Sequence, residues 1–421
     1  MLNLSGLIDS LRMAPSFRAA LRAIRARAAP SLGVMRAARP YVVGTLAREW
    51  QDHAAPVIVI TAKIDRAYTI SEQLPVWTGD ARGIYRFNEP SPLFYERAPW
   101  GENAIRGRLE TLAALMPPED VPLSPKPPII IVSARALMQR TLPVHAFRQR
   151  AIVLRTGQRY SLESLIGQWV GLGYEPATLI TEPGTFSRRG GILDIYPIAH
   201  DQPVRIEFFG DEIETLRAFS PDTQRSTGKI ERAVITPARE ALPQDAPLLA
   251  TTLSKWFAGL PLQSADVISP KGDEVLLSSG AGFAYLEHYL PYLYRNPVSL
   301  LDYAPDDALI VIEDGAELRS TIDEIDEAAT RSRAEKIHAG ILAEDHPMPY
   351  LTWAQIENSL QGRPVTYLSE HGADDSDAAD APTDVGALRG MMSPGIRFGG
   401  QLKTFFPHIR TLRDSGDAVV V

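Results

Sequence analysis

Short runs of consecutive aliphatic residues are what most constrain this fold. Val57–Thr61 reads VIVIT, Ile129–Ser133 reads IIIVS, 151–154 reads AIVL and 308–312 reads ALIVI. A strand with no polar alternation has both faces buried, which is the situation of a strand in a parallel sheet covered by helices on each side. Helical text separates the runs. The stretch 103–115, NAIRGRLETLAAL, is amphipathic, and a long helix is expected from about 316 to 339. The fold class is therefore α/β with a parallel sheet.

From 155 to about 236 the text changes. Ser161-Leu162-Glu163 opens a helix ending near Gly173, and short alternating strands with Gly and Pro turns follow. This is an antiparallel α+β insert. Because parallel-type text resumes at 308, the α/β domain is expected to be split, with halves at 1–146 and 237–370 around an insert at 147–236. Residues 371–386, HGADDSDAADAPTDVG, hold little to bury and read as an acidic flexible linker. Residues 387–421 read as the start of a third domain. The chain closes on Ala418-Val419-Val420-Val421, and we expect a fragment of a longer protein.

Within the insert, Val204–Phe209 (VRIEFF) alternates with period two. Val204, Ile206 and Phe208 go to the core and Arg205, Glu207 and Phe209 to the other face. An aromatic ring beside an arginine on a solvated sheet face has the composition of a protein interface hot spot. Cover by a neighbouring loop is the alternative for Phe209.

Composition narrows the chemistry. With no cysteine, disulfides, thiol catalysis and Cys-based zinc sites are excluded, which suits the cytoplasm. No apolar run approaches the roughly 20 residues that span a bilayer. A net charge of -8 disfavours a nonspecific nucleic-acid binder. The first 50 residues run the other way, with eight arginines against Asp9 and Glu49. There Phe17, Ala20, Leu21 and Ile24 share one helical face and Arg18, Arg22 and Arg25 the opposite one. A transit peptide, a basic docking face and a solvated helix all fit this pattern. Gly280-Ala281-Gly282 follows the apolar Val275-Leu276-Leu277, read as a strand, but Tyr285 stands where a dinucleotide-binding loop needs its third glycine. The eight histidines are scattered, without metal-ligand spacing, and read as surface or capping residues. Glu317, Asp323, Glu324, Asp326 and Glu327 read as a solvated helix face.

The stretch 181–226 carries a family resemblance. Gly173-Tyr174, Glu182-Pro183-Gly184, Phe186, Arg189-Gly190-Gly191-Ile192-Leu193-Asp194-Ile195 and Phe208-Phe209-Gly210-Asp211-Glu212-Ile213 resemble the UvrA-interaction domain shared by bacterial transcription-repair coupling factors and UvrB. The ending Asp222-Thr223-Gln224-Arg225-Ser226 is similar to the coupling factors. Fainter similarity runs from about residue 32 to 315.

The resemblance implies a degenerate P-loop-like domain around the insert. Where UvrB has a phosphate loop, this chain has Arg36-Ala37-Ala38-Arg39-Pro40. Such a loop needs glycines to wrap phosphates, a Lys, and a Ser or Thr for magnesium. Here Arg36 and Ala38 replace glycines, Arg39 the lysine and Pro40 the hydroxyl. The Walker B counterpart, Ile312-Glu313-Asp314-Gly315, is also altered. No ATP hydrolysis, metal or cofactor is expected in this chain; ATP and magnesium would belong to a translocase motor elsewhere in the parent protein. The aromatic DNA-inserting hairpin of UvrB is reduced to the short 87–96. The implied function is a noncatalytic, UvrB-mimicking module that recruits UvrA in transcription-coupled excision repair, with RNA polymerase and DNA engaged by other domains. The implied UvrA contacts are Arg189, Arg205 and Phe209. The alternatives are a UvrB-type ATP-dependent enzyme and a DNA-binding module using the N-terminal arginines.

Overall fold

The computed structural model describes residues 3–51, 53–117, 126–259, 272–294, 296, 298–370, 388, 391–392 and 402–415. Four strands come first: β1 (Ser31–Gly33), β2 (Val57–Thr61), β3 (Ile84–Phe87) and β4 (Ile129–Ser133). Eight follow: β5 (Ile152–Arg155), β6 (Glu175–Pro176), β7 (Thr185–Arg189), β8 (Ile192–Ile195), β9 (Val204–Phe209), β10 (Glu212–Phe219), β11 (Ser226–Lys229) and β12 (Arg232–Ile235). The last are β13 (Leu309–Glu313) and β14 (Val365–Ser369).

One six-stranded sheet, in the order β1-β14-β13-β2-β4-β3, is parallel throughout. Its three central strands are buried at every position. Their pleat divides the core in two. Val57, Val59, Ile129, Ile131, Leu309 and Val311 pack with Phe17, Leu46 and Ile70 on one face. Ile58, Ile60, Ile130, Val132, Ile310 and Ile312 pack with Leu109, Leu112 and Leu318 on the other. Each such side chain contributes roughly 1.5–3 kcal/mol on burial, so a continuous aliphatic run is what a strand covered on both faces requires.

A second six-stranded sheet runs β11-β10-β9-β8-β7-β6. It is antiparallel except at the β6–β7 pair, which is parallel. Leu193, Ile195, Val204, Ile206 and Leu216 face the core with Trp169, carried by the helix Leu162–Gly171. The side chain of Ser161 caps that helix by accepting from Ser164 N at 3.4 Å. The architecture is mixed α/β, with a parallel sheet and a largely antiparallel one.

Several expectations change. The run at 151–154 does not join the parallel sheet; β5 pairs antiparallel with β12 in a two-stranded ribbon. Val275, Leu276 and Leu277 are helical, within Asp273–Ser279, and Gly280 is the left-handed cap at φ 67°. A strand followed by a GxG turn is therefore absent there. His346 is no surface residue: it is buried against Tyr95, Tyr292 and His288, its ring 4.8 Å from that of Tyr292. Phe94 and Tyr95 are also buried, Phe94 stacking on Tyr350 at 4.5 Å, and no strand forms between 88 and 101. The linker at 371–386 lies outside the described residues, as does the terminal run 416–421. Of 387–421, the helix Leu402–Asp414 is described, with Pro407 inside it. No helix among the described residues is long and apolar enough to cross a membrane.

Candidate functional site

The outer face of the second sheet follows from register. Arg189 pairs with Ile192, Ile192 with Glu207, Ser187 with Asp194 and Asp194 with Arg205. Cross-strand partners share a face, so these rows stand on the side away from the core. Phe209 continues the face two residues beyond Glu207 and is 81% exposed. Phe208 turns the other way and is half-buried against the core cluster.

Two glycine-led turns set the site's upper edge. Gly190-Gly191 joins β7 to β8 and Gly210-Asp211 joins β9 to β10, with Gly190 at φ 63° and Gly210 at φ 64°. A positive φ at the first of two turn residues suits the twist of a tight hairpin, and only glycine adopts it without strain. Phe208 N donates to Gly191 O at 2.9 Å, which brings the two turns to the same end of the sheet. Arg189 and Phe209 therefore lie toward the same rim, with β8 between their strands and Phe209 two residues beyond the level of Arg189. The Arg189 guanidinium is exposed and donates to Thr178 O at 3.1 Å.

Arg205 lies four residues down the strand from Phe209, roughly 13 Å. It is not free. Its Nε and Nη2 donate to both carboxylate oxygens of Asp194, each at 2.8 Å, and its guanidinium lies 4.9 Å from the Phe219 ring. Asp194 is 2% exposed. The Asp194 hydrogen bonds raise the Arg205 pKa against the cost of burial. Ser187 Oγ, beside this pair in register, is buried without a partner. At the rim, Glu207 accepts from Thr215 Oγ1 and lies 3.8 Å from Arg217. The face thus has an open end at Arg189, Ile192 and Phe209 and a braced middle at Asp194, Arg205 and Phe219.

A second place tests the chemistry expected at the C-terminal ends of β1 and β13. Arg36, Ala37 and Ala38 form one 3-10 turn, and Arg39 and Pro40 begin the helix Arg39–Gln51. Arg39, 1% exposed, donates to Asp314 Oδ2 and Oδ1 at 2.6 and 2.8 Å and to Val34 O at 3.3 Å. Arg66 forks onto Glu313 at 2.6 and 2.7 Å and reaches Arg36 O at 3.3 Å. Burial alone would lower the Arg39 pKa, but Asp314 and Glu313 outweigh it and hold the guanidinium above its ordinary value. Two internal ion pairs thus tie Arg39 and Arg66 to the end of β13.

Comparison with known proteins adds the family. A model described as "UvrB interaction domain" matches residues 152–240, which include β5 to β12 and the whole open face. Transcription-repair-coupling factor of Bacillus subtilis is 29% identical over 317 residues, covering 72% of this chain and 25% of that protein. The Mycobacterium tuberculosis protein of the same name is 30% identical over 325 residues (75% and 25%), and that of Escherichia coli 28% over 260 (62% and 21%). This chain is a UvrB-like relative of transcription-repair coupling factor. It spans about a quarter of the length of the curated relatives it matches.

In this coupling-factor relative the sequence names Arg189, Arg205 and Phe209, and the structure adds contacts that it does not show, Asp194 on Arg205 and Thr178 O on Arg189. Asp194 was legible as an alternation partner on β8, two residues beyond Ile192, yet its pairing with Arg205 depends on register. Arg66 and Asp314 carried no local signal. Among the described residues no group of three His, Asp or Glu is placed to hold a metal ion.

Proposed function

We propose that the chain is a noncatalytic docking module that binds UvrA through the open end of its second sheet, and so serves transcription-coupled excision repair. The observation that carries this reading is Phe209, 81% exposed at a rim that is built by two glycine turns and also carries Arg189, inside the matched domain. A large ring left in water costs free energy that a partner's surface recovers, and a neighbouring arginine fork suits a carboxylate on that partner. Arg205 has a different part: braced by Asp194, it offers its remaining N–H groups in a fixed direction, with little side-chain entropy left to lose on binding.

The insert is 147–236, flanked by halves of one α/β domain at 1–146 and 237–370. RNA polymerase, DNA translocation and ATP belong to other parts of a longer parent protein. Against a UvrB-type ATPase stands the Arg39–Asp314 fork, which a nucleotide would have to break. The test is calorimetry of the whole chain with UvrA from the same source and, separately, with ATP and magnesium. UvrA binding that Phe209→Ala weakens by about 2 kcal/mol or more supports the reading; nucleotide binding at micromolar concentration overturns the noncatalytic part of it.

A further inference from the structure

A second surface, at the opposite end of the sequence, is built differently. The helices Ile8–Met13 and Pro15–Arg25 pack on Arg39–Gln51 and leave a groove of about 500 Å³. Phe17, Ala20, Leu21 and Ile24 are buried in the core, so the helix Pro15–Arg25 has no apolar face to offer a bilayer. Its other face carries Arg18, Arg22 and Arg25 at i, i+4 and i+7, a row roughly 10 Å long. Arg12 adds a fourth guanidinium to the groove.

The one buried-side acid aligns the arginines without cancelling the row. Glu49 accepts from Arg12 Nε at 2.6 Å and from Arg25 Nη2 at 3.5 Å, which fixes those two stems against the groove wall. Asp9 takes a further bond from Arg12 at 3.2 Å. Arg18 and Arg22 are exposed and have no carboxylate partner among the described residues. Four cations face two acids in the groove, while the chain as a whole carries -8. The concentration of positive charge is local.

We infer that this groove docks the phosphodiester backbone of duplex DNA. A protein partner would call for desolvated apolar anchors at the centre of the patch. The only large exposed apolar side chain lining this groove is Met13, at its edge. A phosphate backbone needs only spaced cations and releases counterions as they engage. The contact is sequence-independent and weak, and it orients the module along a duplex while the second sheet remains open.

The experiment is fluorescence anisotropy of the whole chain with a short labelled duplex, titrated at several salt concentrations. Three to four phosphates engaged give a log–log slope of about -3, and R18A/R22A lowers its magnitude by about 2 and the low-salt affinity at least about tenfold. R18K/R22K keeps the slope, because the charge count is unchanged. An unchanged thermal melt excludes misfolding of the variants, and Phe209→Ala leaves the duplex titration as it was. Absence of binding at low salt, or a slope indifferent to R18A/R22A, overturns the inference. So does arginine-dependent binding of poly-glutamate with no binding of duplex, which would make the groove a site for an acidic protein.

Discussion

At Arg205 two demands meet on one side chain. Alternation puts it on the outer face, where a partner can reach it, and register puts it opposite a carboxylate that is 2% exposed. Removing the guanidinium leaves Asp194 buried and unpaired. Arg205→Ala is therefore expected to cost about 3 kcal/mol of stability as well as UvrA affinity, a loss that urea melts would detect. The strand pattern alone shows Arg205 only as an outward-facing residue, and the pairing makes it a structural one as well. Phe209→Ala is the clean counterpart: stability within about 0.5 kcal/mol of the parent, with UvrA affinity weakened by about 2 kcal/mol or more. Phe208→Ala should lose about 2 kcal/mol of stability, below the range for a fully buried ring, because Phe208 is only half-buried. The two phenylalanines were separable from sequence because a period of two is local information. The Asp194–Arg205 pair was not, because it depends on which residues of two strands face each other.

Elements show the same division. The aliphatic runs of β2, β4 and β13 could only be buried strands, yet the equally apolar 151–154 joined a different sheet and 275–277 became helix. A short apolar run fixes neither its partner nor its burial, for Val275 and Leu276 are 73% and 41% exposed. That Arg36 to Pro40 departs from a phosphate-loop pattern was legible, but how the segment packs was not: Arg39 meets Asp314 across 275 positions of sequence. Arg39→Ala takes the guanidinium from Asp314 at the end of β13, while Glu313 keeps its fork to Arg66, so it is expected to destabilise the chain by about 3 kcal/mol without creating nucleotide binding; paired melts and ATP calorimetry check both halves. The packing of His346 on Tyr95, Tyr292 and His288 predicts a pH dependence. Burial pushes His346 down to about 4 and His288 down to about 3. His346 is held neutral with its Nδ1 2.8 Å from Pro347 O. The unfolded chain protonates both near pH 6.5 while the folded chain does not, so it binds more protons in the acid range. Stability is fully present above about pH 6.5 and is lost as pH falls toward 4. Denaturation midpoints at pH 7 and pH 5 should differ, and by less in His346→Phe; equal midpoints at the two pH values would contradict the buried, neutral assignment.

For the whole molecule, the question is whether the second sheet is a unit or a lobe that depends on the parallel sheet. The two ends of the insert meet, since Ile152 pairs with Ile235 across the β5–β12 ribbon, within about 5.5 Å in an antiparallel pair. Tyr174 Oη closes the same region by donating to Thr236 O at 2.9 Å. Beyond that point the chain is tied elsewhere: Arg108 forms a fully buried ion pair with Glu240, and Arg239 forks onto Glu287 at 2.6 and 2.8 Å. Ties also cross the boundary of 147–236, since the Arg239 stem packs on Gly173 and Arg150 donates to Asp245 at 2.9 Å. Against independence, the apolar core is continuous, with Trp169 and Ile206 in the same cluster as Ile58 and Leu112. The paired ends favour a separable unit, and the shared core and the crossing ties set what separation costs. Residues 147–236 expressed alone are therefore expected to melt cooperatively, at a lower temperature than the whole chain, and to bind UvrA with an affinity that Phe209→Ala weakens as it does in the whole chain. Cooperative melting with full UvrA affinity would place the entire recognition surface on the second sheet. An insert that stays unfolded while the whole chain binds would mean that the parallel sheet is the template on which the site forms.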